Sequence, residues 1–311
     1  AMKLVFAGAP EFSVLPLKKI LEEGYEVAAV VTQPDKPVGR KAIVTPTPLK
    51  VFARSRGIPV LDFPKIREHI GELESLRAHL MVTCAYGQLL TESVLNAFPA
   101  GVYNIHASLL PKYRGASPVA ACILNGETET GITVMKTDVG LDTGDMLLQK
   151  SIPIAPEDTA GTLSEKLSAL GADCIVEALA LLKGGKAVLT PQDNDRATLV
   201  KKIKKEHARI DFTGDAAAIV NLIRAMNPAP VAYTYLNGKA LNVFFAETAE
   251  GEVGASGEVI AADKRGILVR AGKGAVRLLE VQSEGGKRMR AADFVNGRKI
   301  AVGDVLTGEN A

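Results

Sequence analysis

The first 190 or so residues alternate short apolar runs with stretches of helical spacing, and this alternation limits the folds available to the chain. The run Lys3–Ala7 is apolar and ends at Gly8, Phe12–Glu23 carries apolar residues at helical spacing, and Glu26–Val31 is apolar again. Strands that alternate with helices form a mostly parallel sheet with right-handed crossovers. The same patterns predict strands at Leu80–Ala85, Gly101–Ile105 and Gly131–Lys136 and a long amphipathic helix at Thr159–Lys183.

The pattern changes beyond this region. Residues 190–206 are polar and charged and contain Pro191, which is typical of a linker. One helix is predicted at Ala216–Met226, followed by about five short strand-like runs in about 80 residues, which suits a small OB-like β-barrel. We therefore expect an α/β chain with a Rossmann-like parallel-sheet domain at 1–189, a linker at 190–206 and an OB-like C-terminal domain at 207–311.

Composition excludes several classes of protein. The 311 residues are 47% hydrophobic and 23% charged, with a net charge of +2, as in ordinary globular proteins. No apolar run reaches the ~18 residues that span a membrane, and the first residues lack a secretory signal, so we expect a cytoplasmic protein with no membrane partner. Cys84, Cys122 and Cys174 lack C-x-x-C spacing and predict buried thiols, with no disulfide framework or metal site.

The common nucleotide and hydrolase signatures are missing. The turn after the first predicted strand, Gly8–Phe12, contains neither G-x-G-x-x-G nor the phosphate-binding G-x-x-x-x-G-K-[ST], which disfavours an NAD enzyme or an ATPase. The sequence also has no G-x-S-x-G elbow and no H-E-x-x-H motif. Any catalytic site must therefore be sought among other polar residues at strand ends.

His106 follows the predicted buried strand Gly101–Ile105, and Asn104 lies two residues before it, near the end of that strand. On an extended segment their side chains point the same way, at the end of a parallel strand where α/β sheets bind ligands. An amide beside an imidazole can polarise a carbonyl and move a proton. The spacing alone leaves a second interpretation open, in which both groups only cap the end of the strand.

The segment Asp138–Asp145 reads D-V-G-L-D-T-G-D and places three acids and two glycines in one tight loop. Its spacing does not match the EF-hand calcium loop. Two interpretations remain: a carboxylate presented to the crevice of Asn104 and His106, or a turn whose acids cap backbone amides.

These motifs also carry a family resemblance that covers nearly the whole chain. N-I-H-A-S-L-L-P-K-Y-R-G-A-S-P at Asn104–Pro118, with G-L-D-T-G-D at Gly140–Asp145, resembles the signature of the formyltetrahydrofolate-dependent formyltransferases. F-A-G-A-P-E-F near the start, A-Y-G-Q-L-L at Ala85–Leu90 and R-A-M-N-P-A-P at Arg224–Pro230 are similar to further segments of that family. Q-P-D-K-P-V-G-R-K, from Gln33 to Lys41, resembles the long loop of its methionyl-tRNA formyltransferase branch in particular.

The resemblance implies a fold, a reaction and a set of site residues. The fold is a Rossmann-like formyltransferase domain joined to an OB-like barrel, the co-substrate is 10-formyltetrahydrofolate, and no metal is required. The implied catalytic residues are Asn104, His106 and Asp142. The residues implied to line the folate site are Ser108, Leu109, Leu110, Pro111, Tyr86, Gly87 and Gln88.

The same resemblance implies initiator methionyl-tRNA as the acceptor, formylated for translation initiation. We expect the enzyme to be a monomer, and no protein partner is implied. The loop Pro34–Pro48 shows no helical or strand pattern, so we expect it to be mobile until tRNA binds. Each basic run also fits a solvated surface. The residues predicted to contact tRNA are Lys36, Arg40 and Lys41 in this loop, Lys201 and Lys204 in the linker, and Lys287 and Arg288 in the barrel.

Three other functions remain open at this point. The same catalytic core can act on another amine, such as that of a sugar nucleotide, although the loop after Gln33 argues for tRNA. It can also release formate from the folate with water as the acceptor. A nucleic-acid-binding protein without activity is the third alternative, against which the intact set of Asn104, His106 and Asp142 speaks.

Overall fold

A computed structural model of the protein describes residues 2–308, which divide into two compact units. The first comprises the chain up to Pro118, Glu129–Pro153 and Ser164–Val200. The second comprises Val119–Thr128, Ile154–Leu163 and the described chain from Lys201 onward. Much of the segment predicted to be a linker therefore packs with the first unit.

Three of the described helices lie where the sequence predicted them, near Phe12–Glu23, Thr159–Lys183 and Ala216–Met226, and the other five were not predicted. None of the described helices is long and apolar enough to cross a membrane. The α-helices are α1 Val14–Glu22, α2 Pro48–Ser55, α3 Ile70–Ser75, α4 Glu92–Asn96, α5 Pro118–Leu124, α6 Ala160–Lys183, α7 Ala216–Ala225 and α8 Ala291–Asn296. Short 3-10 helices lie at Glu11–Ser13, Ile66–Glu68, Asn194–Arg196 and Lys205–Ala208.

The strands of the first unit form a large sheet and two small ribbons. They are β1 Lys3–Gly8, β2 Glu26–Val31, β3 Lys36–Val38, β4 Ile43–Thr45, β5 Val60–Leu61, β6 Leu80–Cys84, β7 Val102–His106, β8 Arg114–Gly115, β9 Glu129–Lys136, β10 Met146–Pro153 and β11 Leu199–Val200. The large sheet has the order β10-β9-β7-β6-β1-β2-β5, and the ribbons pair β3 with β4 and β8 with β11.

The large sheet is parallel from β5 to β7 and antiparallel beyond it. Both β7–β9 and β9–β10 pair antiparallel, a direction that the apolar pattern of the predicted strand at Gly131–Lys136 did not indicate. As a result the loop after β9 begins beside the start of β7, where the Thr137 amide donates to the Val102 carbonyl at 2.7 Å. From there the loop runs back to the end of β7.

Burial on both faces explains why the central strands are continuous apolar runs. Every residue of β6 is buried, as is β1 from Leu4 onward. On one face α6 approaches β7 closely at Gly171, where an added Cβ would lie 3.1 Å from Ile105 Cγ2. Helices cover the faces of the sheet, so a site can form at the loops that follow the strand ends.

The loop predicted to lack regular structure contains a β-hairpin. Strands β3 and β4 pair with each other in the register Pro37↔Val44, around a turn in which the Ala42 amide donates to the Gly39 carbonyl at 3.1 Å. All residues from Lys36 to Thr45 are exposed. Strands of three residues that face water on both sides leave no apolar alternation, so the sequence pattern could not reveal them.

The second unit is an antiparallel sheet with helices α7 and α8. Its strands are β12 Ala232–Leu236, β13 Lys239–Ala249, β14 Val259–Asp263, β15 Gly266–Arg270, β16 Ala275–Ser283 and β17 Met289–Arg290, in the order β12-β13-β16-β15-β14 with β17 beside β16. Asn237 and Gly238 form the tight turn between β12 and β13, both with positive φ. The segment Val305–Thr307 pairs with Tyr235 and with Glu258, and so joins both edges of the sheet as a small barrel requires.

The three cysteines are buried, as predicted. Burial raises the pKa of the Cys174 thiol to about 11 and also raises the pKa of Cys84. Because the thiolate is the reactive form of cysteine, neither side chain is suited to act as a nucleophile.

Candidate active site

Asn104 is positioned by the register of two parallel strands. It lies on β7 directly opposite Thr83 of β6, and the Thr83 hydroxyl donates to Asn104 Oδ1 at 2.8 Å. This contact occupies the acceptor end of the amide. The amide nitrogen, with its two hydrogens, is therefore the end that can donate to a substrate oxygen.

His106 ends the same strand and is buried, with a relative exposure of 7%. Its Nε2 lies 2.8 Å from the carbonyl oxygen of Tyr113. A carbonyl oxygen can only accept, so Nε2 carries the hydrogen in this contact. In the neutral ring Nδ1 is then the unprotonated nitrogen, and it faces Asp142.

Asp142 presents its carboxylate to that nitrogen. Its Oδ2 lies 3.8 Å from His106 Nδ1 and accepts a hydrogen bond of 2.7 Å from the Gly115 amide. The distance to Nδ1 is too long for a hydrogen bond but short enough for strong attraction to a charged imidazole. The side chain is only 15% exposed, so water screens this attraction weakly.

Left-handed backbone conformations cluster around this pair. Asp142 has φ of 52°, Tyr113 has 59° and Ser117 has 59°, although all three carry a side chain. Such conformations cost about 1–3 kcal/mol each and persist where the surrounding contacts over-determine them, often at functional sites. The loops on both sides of His106 are thus held in shapes that the chain alone would not favour.

The sequence left two interpretations of the loop Asp138–Asp145 open, and each of them applies to a different acid of the loop. Asp138 Oδ1 accepts from the Gly140 amide at 3.0 Å and from the Thr143 hydroxyl at 2.6 Å, and so closes the turn. Gly144 is required for its size, because an added Cβ would overlap the Lys136 carbonyl. Asp138 is the capping residue, and Asp142 is the one that faces His106.

The residues predicted to line the folate site fall in two loops beside the strand ends. Ser108 is fully buried, and its hydroxyl donates to the Lys112 carbonyl at 2.7 Å. The Leu110 amide donates to Thr133 Oγ1 at 3.1 Å, while Leu109 and Pro111 are partly exposed. Ser108 thus shapes its loop from within, and Leu109 and Pro111 are the side chains that can touch a ligand.

The second of these loops follows β6. The Tyr86 ring is buried and Gly87, with φ of 86°, is exposed. Gln88 donates to Gln33 Oε1 at 3.1 Å and accepts from the Ile66 amide at 2.8 Å. The side chains of this loop therefore fix its shape, and the backbone around Gly87 is what it offers to a ligand.

The predicted tRNA-contacting residues differ in how available their charges are. Lys36, Arg40 and Lys41 are exposed on the β3–β4 hairpin, and Lys201, Lys204 and Lys287 are exposed in the second unit. The guanidinium of Arg288 lies 3.9 Å from the centre of the Phe244 ring and is paired with Glu280. Arg288 is thus engaged within its own unit, unlike the hairpin cations.

Several groups that hold the catalytic candidates in place leave no pattern in the sequence. They are the Tyr113 carbonyl, the Gly115 amide, Thr83 and Gln192, whose side chain contacts the backbone of Asp142. Backbone groups leave no trace in residue types, and Gln192 lies in a polar stretch where one glutamine carries no signal. Among the described residues, no cluster of three or more His, Cys, Asp or Glu is placed to hold a metal ion.

Comparison with known proteins decides the family. A family model described as "Formyl transferase" matches residues 2–179, and one described as "Formyl transferase, C-terminal domain" matches residues 202–299. The chain belongs to the formyl transferase family. The resemblance that the motifs at Asn104–Pro118 and Gly140–Asp145 predicted is thereby confirmed.

Two relatives extend this similarity over the whole chain. A protein from Geotalea uraniireducens named "Methionyl-tRNA formyltransferase" is 45% identical over 307 residues, which covers 98% of each chain. A protein of the same name from Nitrosospira multiformis is 46% identical over 307 residues and covers 96% of this chain and 97% of its own.

A solved formyl transferase structure shares the fold at low identity. The N-formyltransferase from Helicobacter canadensis, solved in complex with folinic acid and dTDP-3-aminofucose, has a TM-score of 0.69 and 20% identity, covering 89% of this chain and 99% of its own. At that identity the likeness shows the α/β fold of the family and does not bear on the substrate.

Proposed function

We propose that this formyl transferase moves the formyl group of 10-formyltetrahydrofolate to the α-amino group of initiator methionyl-tRNA. The observation that carries the proposal is the pairing of His106 Nδ1 with Asp142 Oδ2 at 3.8 Å, two residues along β7 from the oriented amide of Asn104. Relatives named methionyl-tRNA formyltransferase, at 45% and 46% identity over nearly the whole chain, support tRNA as the acceptor.

His106 is suited to move the proton that this reaction must relocate. An ammonium ion has no lone pair, so the acceptor must lose a proton before it attacks a carbonyl carbon. With Nε2–H held by the Tyr113 carbonyl, the Nδ1 lone pair of His106 accepts that proton. The carboxylate of Asp142 stabilises the imidazolium that results, and the same proton is then available to folate N10 when the C–N bond to the formyl carbon breaks.

Asn104 is suited to stabilise the negative charge that develops in the same step. Attack on the formyl carbon moves electrons onto its oxygen, and a fixed amide donor lowers the energy of that state. The Thr83 hydroxyl holds the Asn104 amide in one orientation beforehand, so little reorganisation is needed at the moment of reaction. Loss of one such donor typically costs ~100–1000-fold in rate.

The two loops around β6 and β7 fit a folate donor. Leu109 and Pro111 offer partly exposed apolar surface, and the backbone around Gly87 offers hydrogen-bonding groups. A flat heterocycle needs both kinds of contact, apolar on its faces and polar at its edge. Bound folate supplies the activated formyl group, and we place its binding at Ser108–Pro111 and Tyr86–Gln88.

We also assign recognition of tRNA to exposed cations. Lys36, Arg40 and Lys41 lie on a hairpin whose strands are exposed along their whole length, and a tRNA phosphate is a natural ligand for them. Lys201, Lys204 and Lys287 are placed to add further phosphate contacts, and Arg288 contributes less because Glu280 already pairs with it.

The domain division follows the same assignment. We propose a catalytic domain at 1–189, a linker at 190–206 and an OB-like domain at 207–311 that supports tRNA binding. The family matches at residues 2–179 and 202–299 support this division. Because initiator tRNA is charged and used in the cytoplasm, we place the enzyme there, acting as a monomer.

One assay tests the proposal against its rivals. The purified protein is given 10-formyltetrahydrofolate with charged initiator tRNA, with an amino-sugar nucleotide, or with water alone, and formyl transfer and formate release are both measured. We expect rapid formylation of the charged tRNA and little of either other product. Preferred formylation of the sugar nucleotide, or formate release as fast as transfer, would overturn the proposal in favour of that activity.

A further inference from the structure

The segment Thr190–Val200, which the sequence predicts to be linker, contacts both loops that flank His106. At one end the Thr190 amide donates to the Met146 carbonyl, and the Met146 amide to the Thr190 carbonyl, each at 2.8 Å. At the other end β11 pairs with β8 in the register Val200↔Gly115. We call this segment the strap.

The strap fixes the backbone that holds His106 and Asp142. The Thr198 carbonyl accepts from the Arg114 amide at 2.8 Å, and the Thr198 hydroxyl accepts from the Tyr113 amide at 2.8 Å. Tyr113 provides the carbonyl that binds His106, and Gly115 provides the amide that binds Asp142. The partners of both side chains are thus neighbours of the same strap.

Gln192 is the one strap residue whose side chain reaches the Asp142 loop while staying buried, at 8% exposure. Its Nε2 donates to the Asp142 carbonyl at 2.9 Å and to the Gly144 carbonyl at 2.7 Å. Its Oε1 accepts from Arg114 Nε at 3.1 Å and Nη2 at 2.9 Å. An amide can donate twice and accept twice, so all four positions of the Gln192 side chain are used.

We propose that Gln192 is a positioning residue for catalysis, which sets the place of the Asp142 carboxylate by tying its backbone to Arg114. Asp142 sits in a left-handed conformation, with φ of 52°, that its own loop does not favour. The Gly115 amide fixes its carboxylate and the Gln192 amide fixes its carbonyl, so the residue is held at both ends.

This inference rests on the proposed function, since formyl transfer is the reaction that reports on it. The strap would then position a catalytic group, which a flexible connector does not do. If Gln192 acts through Asp142, its loss should lower kcat while the KM for folate and for tRNA change little. A displacement of about 1 Å at a catalytic group can cost ~100-fold in rate.

The sharpest variant is Gln192→Glu, which keeps the size of the side chain and its acceptor atoms toward Arg114. The substitution replaces the two N–H donors toward the Asp142 and Gly144 carbonyls with a carboxylate oxygen, which repels those carbonyl oxygens. Gln192→Met is the second variant and removes all four hydrogen bonds without adding charge. Asn194→Ala is the matched control, because the exposed Asn194 accepts from the same Arg114 at 2.7 Å and takes no part in the hydrogen bonds from Gln192 to the Asp142 loop.

A double-mutant cycle separates positioning from general support of the fold. Each Gln192 variant is combined with Asp142→Asn, and kcat, both KM values and the thermal midpoint are measured for all forms, well below the midpoint of the least stable one. We expect Gln192→Glu and Gln192→Met to lower kcat about 10- to 100-fold in the wild-type background and less than about 3-fold in the Asp142→Asn background. Asn194→Ala should stay near wild-type activity.

Two results would overturn the inference. Undiminished kcat in both Gln192 variants would show that the side chain does not position Asp142. An equal loss in the two backgrounds would show that Gln192 supports the fold and has no specific link to that carboxylate. The wild-type control keeps the inference apart from the proposed function, because failure of wild type to formylate charged tRNA contradicts the proposed function itself.

Discussion

His106 and Asp142 face each other at 3.8 Å because both are tied to one short stretch of backbone. The Tyr113 carbonyl binds His106 Nε2, and the Gly115 amide, two residues later, binds Asp142 Oδ2. The separation of the two side chains is therefore set by the conformation of Tyr113–Gly115. A change in the conformation of that stretch should therefore alter the distance between the imidazole and the carboxylate.

Thr83→Val should lower turnover without removing any group that touches substrate. Valine keeps the shape of threonine but cannot donate to Asn104 Oδ1, so the amide loses its fixed orientation. We expect kcat to fall about 10-fold, less than the ~100–1000-fold expected for Asn104→Ala, which removes the donor itself. Steady-state kinetics on charged tRNA check this, and equal losses in the two variants would contradict the orienting role.

Gly115→Ala should lower both stability and activity. Gly115 has φ of 99°, and an added Cβ would overlap the Val200 carbonyl on the strap. Gly185→Ala is the control for backbone strain alone, since Gly185 has φ of 66° and open space around it. We expect about 1–2 kcal/mol of destabilisation at Gly185 and about 1–3 kcal/mol more at Gly115. Denaturant unfolding measures both, and similar losses at the two positions would show that the close approach to Val200 does not matter.

The sequence predicted β1, β2, β6, β7 and β9, and pointed to Asn104 and His106, because each left a local pattern, whereas Asp142 was implied by the family resemblance. In β7 the apolar neighbours of Asn104 are buried, and the two-residue spacing from Asn104 to His106 places both side chains on one face of the strand. The direction of β9 had no such signal, since an apolar strand reads the same parallel or antiparallel. The sequence could not predict the pairing of β8 with β11 either, because two-residue strands more than 80 positions apart show no periodicity.

Lys50 links the base of the exposed hairpin to the sheet and predicts a pH dependence of stability. It is 1% exposed and pairs with Asp35 at 2.5 Å and Asp62 at 2.8 Å. Burial lowers the pKa of Lys50, but the hydrogen bonds to Asp35 and Asp62 outweigh it, so the pKa is raised overall. The hydrogen bond from Lys50 is the largest cause that lowers the pKa of Asp62.

The directions of the Lys50 and Asp62 pKa shifts determine how the stability of the fold should depend on pH. A carboxyl with a lowered pKa stabilises the fold above its unfolded value and loses that contribution as the pH falls through the folded value, below about pH 4. A lysine with a raised pKa stabilises the fold below its unfolded pKa of about 10.4. That stabilisation is lost as the pH rises through the folded pKa. We expect the curve of thermal midpoint against pH to be flatter for Lys50→Met than for wild type at both the acidic and the alkaline end. Lys65→Met, which removes an exposed ion pair, should follow the wild-type curve. Parallel curves for wild type and Lys50→Met would contradict the coupling.

Arg40→Ala should weaken the use of tRNA and leave folate binding unchanged. Arg40 is exposed in the hairpin turn, where a guanidinium can hold a phosphate or a base edge with two hydrogen bonds. We expect kcat/KM for charged tRNA to fall about 10-fold at moderate salt, with a shallower salt dependence. Arg67→Ala, at an exposed arginine outside the hairpin, is the control. A loss of equal size in Arg67→Ala would mean that only overall charge matters.

The most direct test of the account is the single-turnover rate of formyl transfer to charged initiator tRNA in Asp142→Asn. Asparagine keeps the size of the side chain and can still accept from the Gly115 amide, but it removes the negative charge that faces His106 Nδ1. Asp145→Asn changes an exposed acid of the same loop and serves as the control. With both substrates saturating, we predict a fall of about 100-fold or more in Asp142→Asn and a rate within about 2-fold of wild type in Asp145→Asn. A wild-type rate in Asp142→Asn would contradict the claim that the His106–Asp142 pair performs the proton transfer.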